Sequence, residues 1–338
     1  MGDHPAVLAL TQGDPAGIGP EILLKAALRN ATGARLLLIA ERAALDAVGS
    51  SLSKLPSERL VFLDSFARDA VLAGPEDAVW VLDPVGRERS IDLGSSNKED
   101  ANGALAAIDR AHELAAGGAV DAIVTAPVSK ASIAQHCLPD FRGHTDYLAA
   151  RSGLEGYGRD YLMAFLSEDL QVALLSTHLP LKDALRAIDE ESVIAALACL
   201  ARHAGGRIAV AGLNPHAGEG GLLGSEEERV LSPAIERARA LGIDVHGPES
   251  ADSLFARARR GEFDWVLALY HDQGLIAVKT LAFGDATNWT VGLPYLRTSV
   301  DHGTAFDLAG RGIADETPLL NVLETTVALI DGRLPRKR

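Results

Sequence analysis

Short apolar runs recur along the chain, and each is followed by a loop and then by the residue pattern of a helix. Because the runs are continuous rather than alternating, they are typical of strands buried on both faces of a sheet. This order of strand and helix predicts an α/β fold with mainly parallel sheets. The runs are residues 6–10, 35–40, 59–63, 78–83, 122–126, 171–176, 207–213 and 265–270.

Polar capping residues indicate where three of the helices begin. Asn97 precedes a run of good helix formers that two glycines end, and Asp189 precedes a helix predicted over residues 190–203. A third helix is expected to open at Ser225 with a capping-box pattern, and Pro233 is expected to interrupt it. These helices fill gaps between the predicted strands, as a parallel sheet requires.

Composition excludes several classes of protein. With 338 residues the chain is long enough for two domains, and 32 Lys and Arg against 46 Asp and Glu give a net charge of −14. This charge disfavours nucleic acid and anionic membranes as partners. No apolar run reaches the roughly 18 residues that span a bilayer, and no secretory signal pattern opens the chain. Two cysteines, Cys137 and Cys199, fit a reducing cytoplasm.

Three histidines share one position relative to the predicted strands. His178, His216 and His271 each lie at or just past the carboxyl end of an apolar run, which is the ligand-binding edge of an open α/β sheet. Three imidazoles with an open coordination position describe a catalytic divalent metal site. Alternatively, each is an independent histidine satisfied by backbone groups. Asp272 follows His271 and is a candidate to orient it, or else a helix-capping residue.

A second set of polar residues is suited to bind an anion. Lys, Arg, amide and hydroxyl donors that converge on one spot hold phosphate or carboxylate, and two of these residues precede a helical stretch whose free amides favour anions. The alternative is solvated surface charge, with a threonine that only caps its helix. The residues are His144, Thr145, Lys279, Asn288 and Arg297.

Two glycine-rich segments lie near the ends of the chain. Residues 13–21 (GDPAGIGPE) follow a predicted strand, but their spacing is neither G-x-G-x-x-G nor that of a Walker A motif. A tight turn between strand and helix is the favoured interpretation, ahead of direct contact with a ligand. Residues 300–315 place His302, Gly303 and Thr304 ahead of a short helix, where they could cradle a nucleotide.

Taken together, these motifs resemble the 4-hydroxythreonine-4-phosphate dehydrogenase family of vitamin B6 biosynthesis. The matching strings run along the chain in order: TAPVSK, GHTDYLA, STHLPL, LNPHAGEGG, ADSLF, YHDQGLIAVK and LPYLRTSVDHGTAFDLAGRG. The two glycine-rich segments are also similar to those of isocitrate and isopropylmalate dehydrogenases, which bind NAD(P) without the usual fingerprint.

The resemblance implies a specific architecture and ligand set. It implies two α/β domains, residues 1–130 with 295–338 and residues 131–294, and an active site in the cleft between the domains. It implies a homodimer with shared active sites, NAD or NADP, and one zinc, cobalt or magnesium ion per site. His178, His216 and His271 would bind the metal, and His144, Thr145, Lys279, Asn288 and Arg297 the substrate. His302, Gly303 and Thr304 are candidate cofactor contacts, and Asp252 and Asp272 are candidate proton-handling or orienting residues.

The implied reaction is oxidation of 4-phosphooxy-threonine to 2-amino-3-oxo-4-phosphooxybutanoate, which decarboxylates to 3-amino-2-oxopropyl phosphate. An alternative within the same family is a dehydrogenase of 4-phospho-threonate or 4-phospho-erythronate. A relative that oxidises a cyclic diol dicarboxylate ranks third, because its substrate lacks the phosphate that the anion-binding residues suit. A small-molecule binding protein on the same scaffold is the non-enzymatic alternative, and it would need no metal-binding histidines.

Overall fold

A computed structural model describes residues 4–52 and 57–335 of the chain. The chain divides into two compact units. The first comprises the described residues up to Ser152 together with Pro294–Leu334, and the second comprises Gly153–Leu293 and Pro335. Each unit combines strands with helices, which confirms the predicted α/β class.

Six parallel strands form the sheet in the described part of the first unit. In spatial order they are β3 (Leu60–Leu63), β4 (Val79–Leu82), β2 (Arg35–Ile39), β1 (Val7–Thr11), β5 (Ala122–Thr125) and β12 (Leu296–Ser299). Alternate residues of β1 enter two different cores: Leu8 and Leu10 pack in one, and Val7 and Ala9 in the other. The sheet is therefore buried on both faces, as continuous apolar runs predict.

Helices cover this sheet. They are α1 (Gly19–Arg29), α2 (Arg42–Gly49), α3 (Arg68–Ala73), α4 (Lys98–Ala116), α5 (Lys130–His136), α6 (His144–Arg151) and α12 (Thr317–Ile330). The predicted start of α4 is confirmed, because the Asn97 side chain accepts hydrogen bonds from the amides of Glu99 and Asp100. Asp100 completes the capping box by accepting from the Asn97 amide.

The second unit has a mixed sheet. Its spatial order is β11 (Thr287–Val291), β6 (Leu162–Leu166), β7 (Gln171–Leu174), β10 (Trp265–Ala268), β8 (Ile208–Ala211) and β9 (Val245–Glu249). The pairings of β11 with β6 and of β6 with β7 are antiparallel, whereas β7, β10, β8 and β9 are mutually parallel. Apolar residues of these strands pack against helices in one core. The long helix predicted over residues 190–203 is confirmed.

The helices of the second unit are α7 (Leu181–Arg186), α8 (Glu190–His203), α9 (Ser232–Ala240), α10 (Ala251–Arg259) and α11 (His271–Leu281). A 3-10 turn covers Pro215–Gly218, and a π-helical turn covers Glu227–Leu231. The capping box expected at Ser225 is wrong, because the π-helical turn begins after Glu226 without a side-chain cap. The change from π to α geometry at Ser232 is the interruption expected at Pro233. No helix within residues 4–52 and 57–335 is long and apolar enough to span a bilayer.

The structure divides the chain later than the expected boundary after residue 130. Residues 131–152 belong to the first unit because they pack on α4. Ile133 and Phe141 bury their side chains against apolar residues of that helix, and the Tyr147 hydroxyl donates to Asp109 Oδ1 at 2.7 Å. The second unit therefore begins only at Gly153.

The end of the chain also differs slightly from the expectation that residues 295–338 return to the first domain. Pro294–Leu334 belong to the first unit, but Pro335 belongs to the second. There the Pro335 carbonyl accepts a hydrogen bond from Gln171 Nε2 at 2.9 Å. Residues 336–338 lie outside the described residues.

Candidate active site

The three histidines follow three neighbouring strands of the second unit. His178 lies after β7, His271 begins α11 directly after β10, and His216 lies in the 3-10 turn after β8. Since β10 pairs in parallel with both β7 and β8, the carboxyl ends of all three strands lie at one edge of the sheet. This is the edge at which open α/β sheets bind ligands.

Two of the three imidazoles are in contact. The ring centroids of His178 and His271 are 5.6 Å apart, with an angle of 42° between the ring planes. Metal-bound imidazole nitrogens lie about 2.0–2.1 Å from a zinc ion, so rings at this separation can reach one ion. His271 Nδ1 is 2.7 Å from Asp272 Oδ1, which leaves Nε2 as the nitrogen suited to a metal. The pair therefore fits a metal site.

The three histidines do not form a complete metal-binding group in the described residues. Within residues 4–52 and 57–335, no three His, Cys, Asp or Glu side chains come together closely enough to hold a metal ion. The turn that carries His216 has an unusual backbone, with φ of 53° at His216, 51° at Ala217 and 45° at Glu219. Left-handed conformations of residues other than glycine cost roughly 1–3 kcal/mol each. Surrounding contacts must therefore hold this turn in place.

Two residues that the sequence analysis did not single out provide those contacts. Glu227 is buried and accepts hydrogen bonds from the backbone amides of Leu213 and Asn214, at 2.8 and 2.6 Å. Gln273 accepts from the Leu269 amide at 2.7 Å and donates to the Gly212 carbonyl at 2.8 Å. In the sequence, Glu227 lies in the polar run GSEEE and Gln273 lies two residues after His271 in YHDQG. These positions near candidate ligands were the available indication, but a glutamate after Ser225 also suits an ordinary helix start.

A cluster of buried polar and cationic side chains, the candidate anion-binding cluster, lies in the first unit. Arg297, on β12, is only 2% exposed, and its guanidinium donates to the hydroxyls of Thr125 at the end of β5 and Thr145 in the first turn of α6. Burial lowers the pKa of Arg297 to about 9, so the side chain is still charged at neutral pH. A positive charge beside a helix start suits phosphate or carboxylate.

His144 belongs to the same cluster and is neutral. Burial lowers the pKa of its imidazole well below the usual range, and the charges of Arg297 and Lys130 lower it further. Its Nε2 atom is buried without a hydrogen-bond partner in the described part of the chain. Lys130, which sequence reasoning missed, begins α5 so close to Gly143 that a Cβ there would lie 3.1 Å from Lys130 Cε. The cluster thus combines two cations with hydroxyl and imidazole groups.

The other predicted substrate residues lie in the second unit. Lys279 is in the last turn of α11, and Asn288 is on β11, where its Oδ1 is buried without a partner among the described residues. Asp252 lies in the first turn of α10 and accepts a hydrogen bond from the Ser250 hydroxyl at 2.8 Å. Of the two candidate acidic residues, Asp272 is therefore the one that contacts a candidate metal-binding histidine, His271.

The two glycine-rich segments meet in the first unit, although they lie nearly 300 residues apart in sequence. The Ile18 amide donates to the Thr304 carbonyl at 3.0 Å. A Cβ on Gly17 would lie only 3.0 Å from the Thr304 carbonyl oxygen. His302 Nδ1 is 3.1 Å from the carbonyl oxygen of its neighbour Gly303. The close approach explains why glycine is required at residue 17.

Comparison with known proteins identifies the family. A family model described as pyridoxal phosphate biosynthetic protein PdxA matches residues 33–326. The chain belongs to this family. Membership confirms the resemblance that the sequence motifs indicated, and it confirms that this is an enzyme of the oxidoreductase class.

Two curated relatives in the PdxA family have different names at the same identity. The D-threonate 4-phosphate dehydrogenase of Salmonella typhimurium is 41% identical over 317 residues, which cover 91% of this chain and 94% of the relative. The 4-hydroxythreonine-4-phosphate dehydrogenase of Neisseria meningitidis is 41% identical over 337 residues, which cover 97% of this chain and 99% of the relative. A crystal structure of the Klebsiella pneumoniae 4-hydroxythreonine-4-phosphate dehydrogenase has a TM-score of 0.83 and 34% identity, covering 96% of this chain and 99% of that one.

Proposed function

We propose that this member of the PdxA family catalyses the NAD(P)-dependent oxidation of 4-phosphooxy-threonine to 2-amino-3-oxo-4-phosphooxybutanoate in pyridoxal phosphate biosynthesis. The observation that carries the proposal is the placement of His178, His216 and His271 after three neighbouring parallel strands. The oxidation product is a 3-keto acid, which loses carbon dioxide because its ketone accepts the electron pair that the carboxylate releases. The final product is 3-amino-2-oxopropyl phosphate.

His178, His216 and His271 would hold the divalent ion. Imidazole ligands favour zinc or cobalt over magnesium, which prefers oxygen ligands. When bound, the metal supplies Lewis acidity to the substrate hydroxyl and the nicotinamide dinucleotide supplies a hydride acceptor. Asp272 would keep His271 in the tautomer that leaves Nε2 available. Asp252 and Asp272 are the two candidate acceptors for the hydroxyl proton.

The anion-binding cluster would hold the charged groups of the substrate. Arg297 and Thr145 offer charged and neutral donors at the start of α6, and neutral His144 adds a ring nitrogen that needs a partner. Lys279 and Asn288 supply further donors. A substrate fixed at its phosphate and carboxylate loses its rotational freedom on binding, and this orients its carbinol carbon for hydride transfer.

The paired glycine-rich segments are our candidate for the dinucleotide site. Glycines that let two backbone segments approach closely suit a ligand that binds backbone groups, such as a pyrophosphate. His302, Gly303 and Thr304 lie on one of the two segments, and Thr304 is in direct contact with the other. Nothing in these segments distinguishes NAD from NADP, so the proposal covers both.

We also propose a cytoplasmic homodimer with shared active sites. Both cysteines, Cys137 and Cys199, are free thiols, which suits a reducing compartment. Next to His178, three leucines expose large parts of their side chains, at 49% for Leu179, 55% for Leu181 and 44% for Leu185. Apolar side chains that are this exposed beside a site are typical of an interface. A second subunit can then contribute the ligand that one chain does not bring to the His178–His271 pair.

Oxidation of 4-phospho-threonate or 4-phospho-erythronate is the second candidate function. The relatives named D-threonate 4-phosphate dehydrogenase favour it, because they match as well as those named for hydroxythreonine phosphate. Both reactions would use the same histidines and phosphate-binding residues, and 4-phospho-threonate carries a hydroxyl group where 4-phosphooxy-threonine carries an amino group.

The test is reduction of NAD and of NADP by the metal-loaded protein, with 4-phosphooxy-threonine and 4-phospho-threonate offered side by side. We expect faster turnover of the first substrate and loss of turnover with a chelator. A preference for the second substrate would assign the second candidate function. No turnover of either substrate by metal-loaded protein would contradict both.

A further inference from the structure

The turn that carries His216 depends on one buried carboxylate. Glu227 is 2% exposed and lies at the start of the π-helical turn. Its Oε1 accepts from the amides of Leu213 and Asn214, and its Oε2 accepts from the Asn214 side-chain amide at 2.8 Å. Three donors from two consecutive residues therefore converge on a single side chain, immediately before the residues that adopt left-handed backbone conformations.

The carboxylate also limits what can occupy the far side of the turn. A Cβ on Gly218 would lie 2.9 Å from Glu227 Oε2 and 3.1 Å from the Gly224 carbonyl oxygen. Glu227 therefore contacts both ends of the turn. It accepts hydrogen bonds from residues 213 and 214 at one end and lies against Gly218 at the other. Since π-helical turns occur frequently at functional sites, the irregular helix that presents Glu227 points to function as well as to folding.

Gln273 connects this turn to the strand that precedes His271. Its side chain bonds both the Gly212 carbonyl, at the end of β8, and the Leu269 amide, at the end of β10. The bridge joins the two backbone segments that lead into His216 and His271. Glu227 then fixes the path of the chain from Gly212 onward to His216.

We propose that Glu227 is a positioning residue, which sets the direction of the His216 imidazole so that it can serve as a metal ligand. The inference rests on the proposed function, because it takes His216 as a ligand of the divalent ion. A side chain that only stabilised the loop would affect folding. A positioning residue also determines how tightly the metal binds, since groups that orient metal ligands change affinity by about 10- to 100-fold.

Glu227→Gln is the sharpest variant. Glutamine keeps the shape of the side chain, and its one oxygen can still accept from both backbone amides. Its amide group, however, faces the Asn214 Nδ2 donor, so two donors oppose each other in a buried place. The matched control is Glu226→Gln, because Glu226 is exposed and also accepts from Asn214 Nδ2, at 2.8 Å.

The experiment measures zinc affinity of the intact protein by competition with a chelator, and records the visible spectrum of the cobalt-loaded form. We expect Glu227→Gln to weaken zinc binding by about 10- to 100-fold and to change the cobalt spectrum. Glu226→Gln should change affinity less than about threefold. Dinucleotide binding should be equal in both variants, since the glycine-rich segments lie in the first unit.

The outcomes separate the inference from the proposed function. If the unsubstituted protein binds no zinc, or if His216→Ala binds as tightly as it does, the proposed metal site is wrong and the inference fails with it. If His216→Ala loses zinc while Glu227→Gln keeps full affinity and an unchanged cobalt spectrum, the inference alone is overturned. Should Glu227→Gln fail to fold, Glu227→Asp keeps the charge but draws the carboxylate back from the amides of Leu213 and Asn214, and unchanged zinc affinity in that variant overturns the inference too.

Discussion

The candidate binding residues of the first unit and those of the second unit differ in how fully they are already in place. In the first, Arg297 is already held by two threonine hydroxyls, and His144 is kept neutral by burial and by neighbouring cations. In the second, the rings of His178 and His271 approach each other. Within residues 4–52 and 57–335, however, no group of three side chains is close enough together to hold a metal ion. The proposed anion cluster is preorganised, whereas the proposed metal site needs further atoms to become complete.

This difference follows from how each set of residues is built. The anion cluster uses a strand and the first turn of a helix, which are fixed by backbone hydrogen bonds and by packing. His178 and His216 lie on connections after strands and His271 is the first residue of α11, where side chains are more exposed and depend on contacts such as those of Glu227 and Asp272. The side chains of such residues are oriented by neighbouring side chains, so their function is more sensitive to single substitutions nearby.

The largest expected effect is loss of a histidine from the second unit. His271→Ala removes a proposed ligand and one ring of the contacting pair, and we expect kcat to fall at least about 10³-fold, because metal-supplied charge stabilisation amounts to several kcal/mol. Metal content and turnover are measured together. His302→Ala, in the first unit, is the comparison, and it should retain full metal content. Equal metal content in both variants would contradict the division of roles.

A smaller effect is expected at the anion cluster. Arg297→Lys keeps the charge but loses the fork of donors that reaches Thr125 and Thr145 together. Hydrogen bonds to a charged group contribute about 1.5–3 kcal/mol, so KM for the phosphorylated substrate should rise about 10- to 100-fold. Arg110→Lys, at a half-exposed position of α4, is the control. A change confined to kcat would show that Arg297 does not anchor the substrate.

The sequence was sufficient to predict the strands that position the histidines. All eight predicted apolar runs contain a strand, because residues buried on both sides of a sheet have to be apolar. The strands β9, β11 and β12 were missed because polar residues interrupt them, as in LRTS, where Arg297 itself replaces an apolar residue. The apolar strand β6 was overlooked despite a suitable pattern.

Side-chain contacts between distant residues were harder to predict. The sequence indicated His216 as a candidate ligand, but the left-handed turn around it and the role of Glu227 depend on a bond across 13 or 14 residues. Lys130 was missed for the same reason, since only the fold brings it beside Gly143. A pattern along the chain reports periodic burial and local capping, and it carries little information on which loops meet.

A further variant tests whether Asp272 orients His271. Asp272→Asn removes the charge that accepts from His271 Nδ1 and allows the ring to turn over, so we expect zinc affinity to fall about tenfold. Asp46→Asn, an exposed carboxylate on α2, is the control for a loss of negative charge alone. Measured zinc affinities equal to that of the unsubstituted protein in both variants would show that His271 is oriented by other contacts.

The smallest expected effect is a change of stability with pH at the anion cluster. His144 has a pKa well below the usual range in the folded protein, whereas an unfolded histidine titrates near about 6.5. Below that pH the unfolded chain binds a proton that the folded cluster excludes, so stability falls as pH falls. Between pH of about 7.5 and about 5.5 the loss should be ~1 kcal/mol. Urea unfolding at both pH values measures it, and His144→Gln should lose correspondingly less stability. If both proteins lose the same amount, the His144 imidazole is not held neutral, and the first unit is less preorganised for its anion than its geometry indicates.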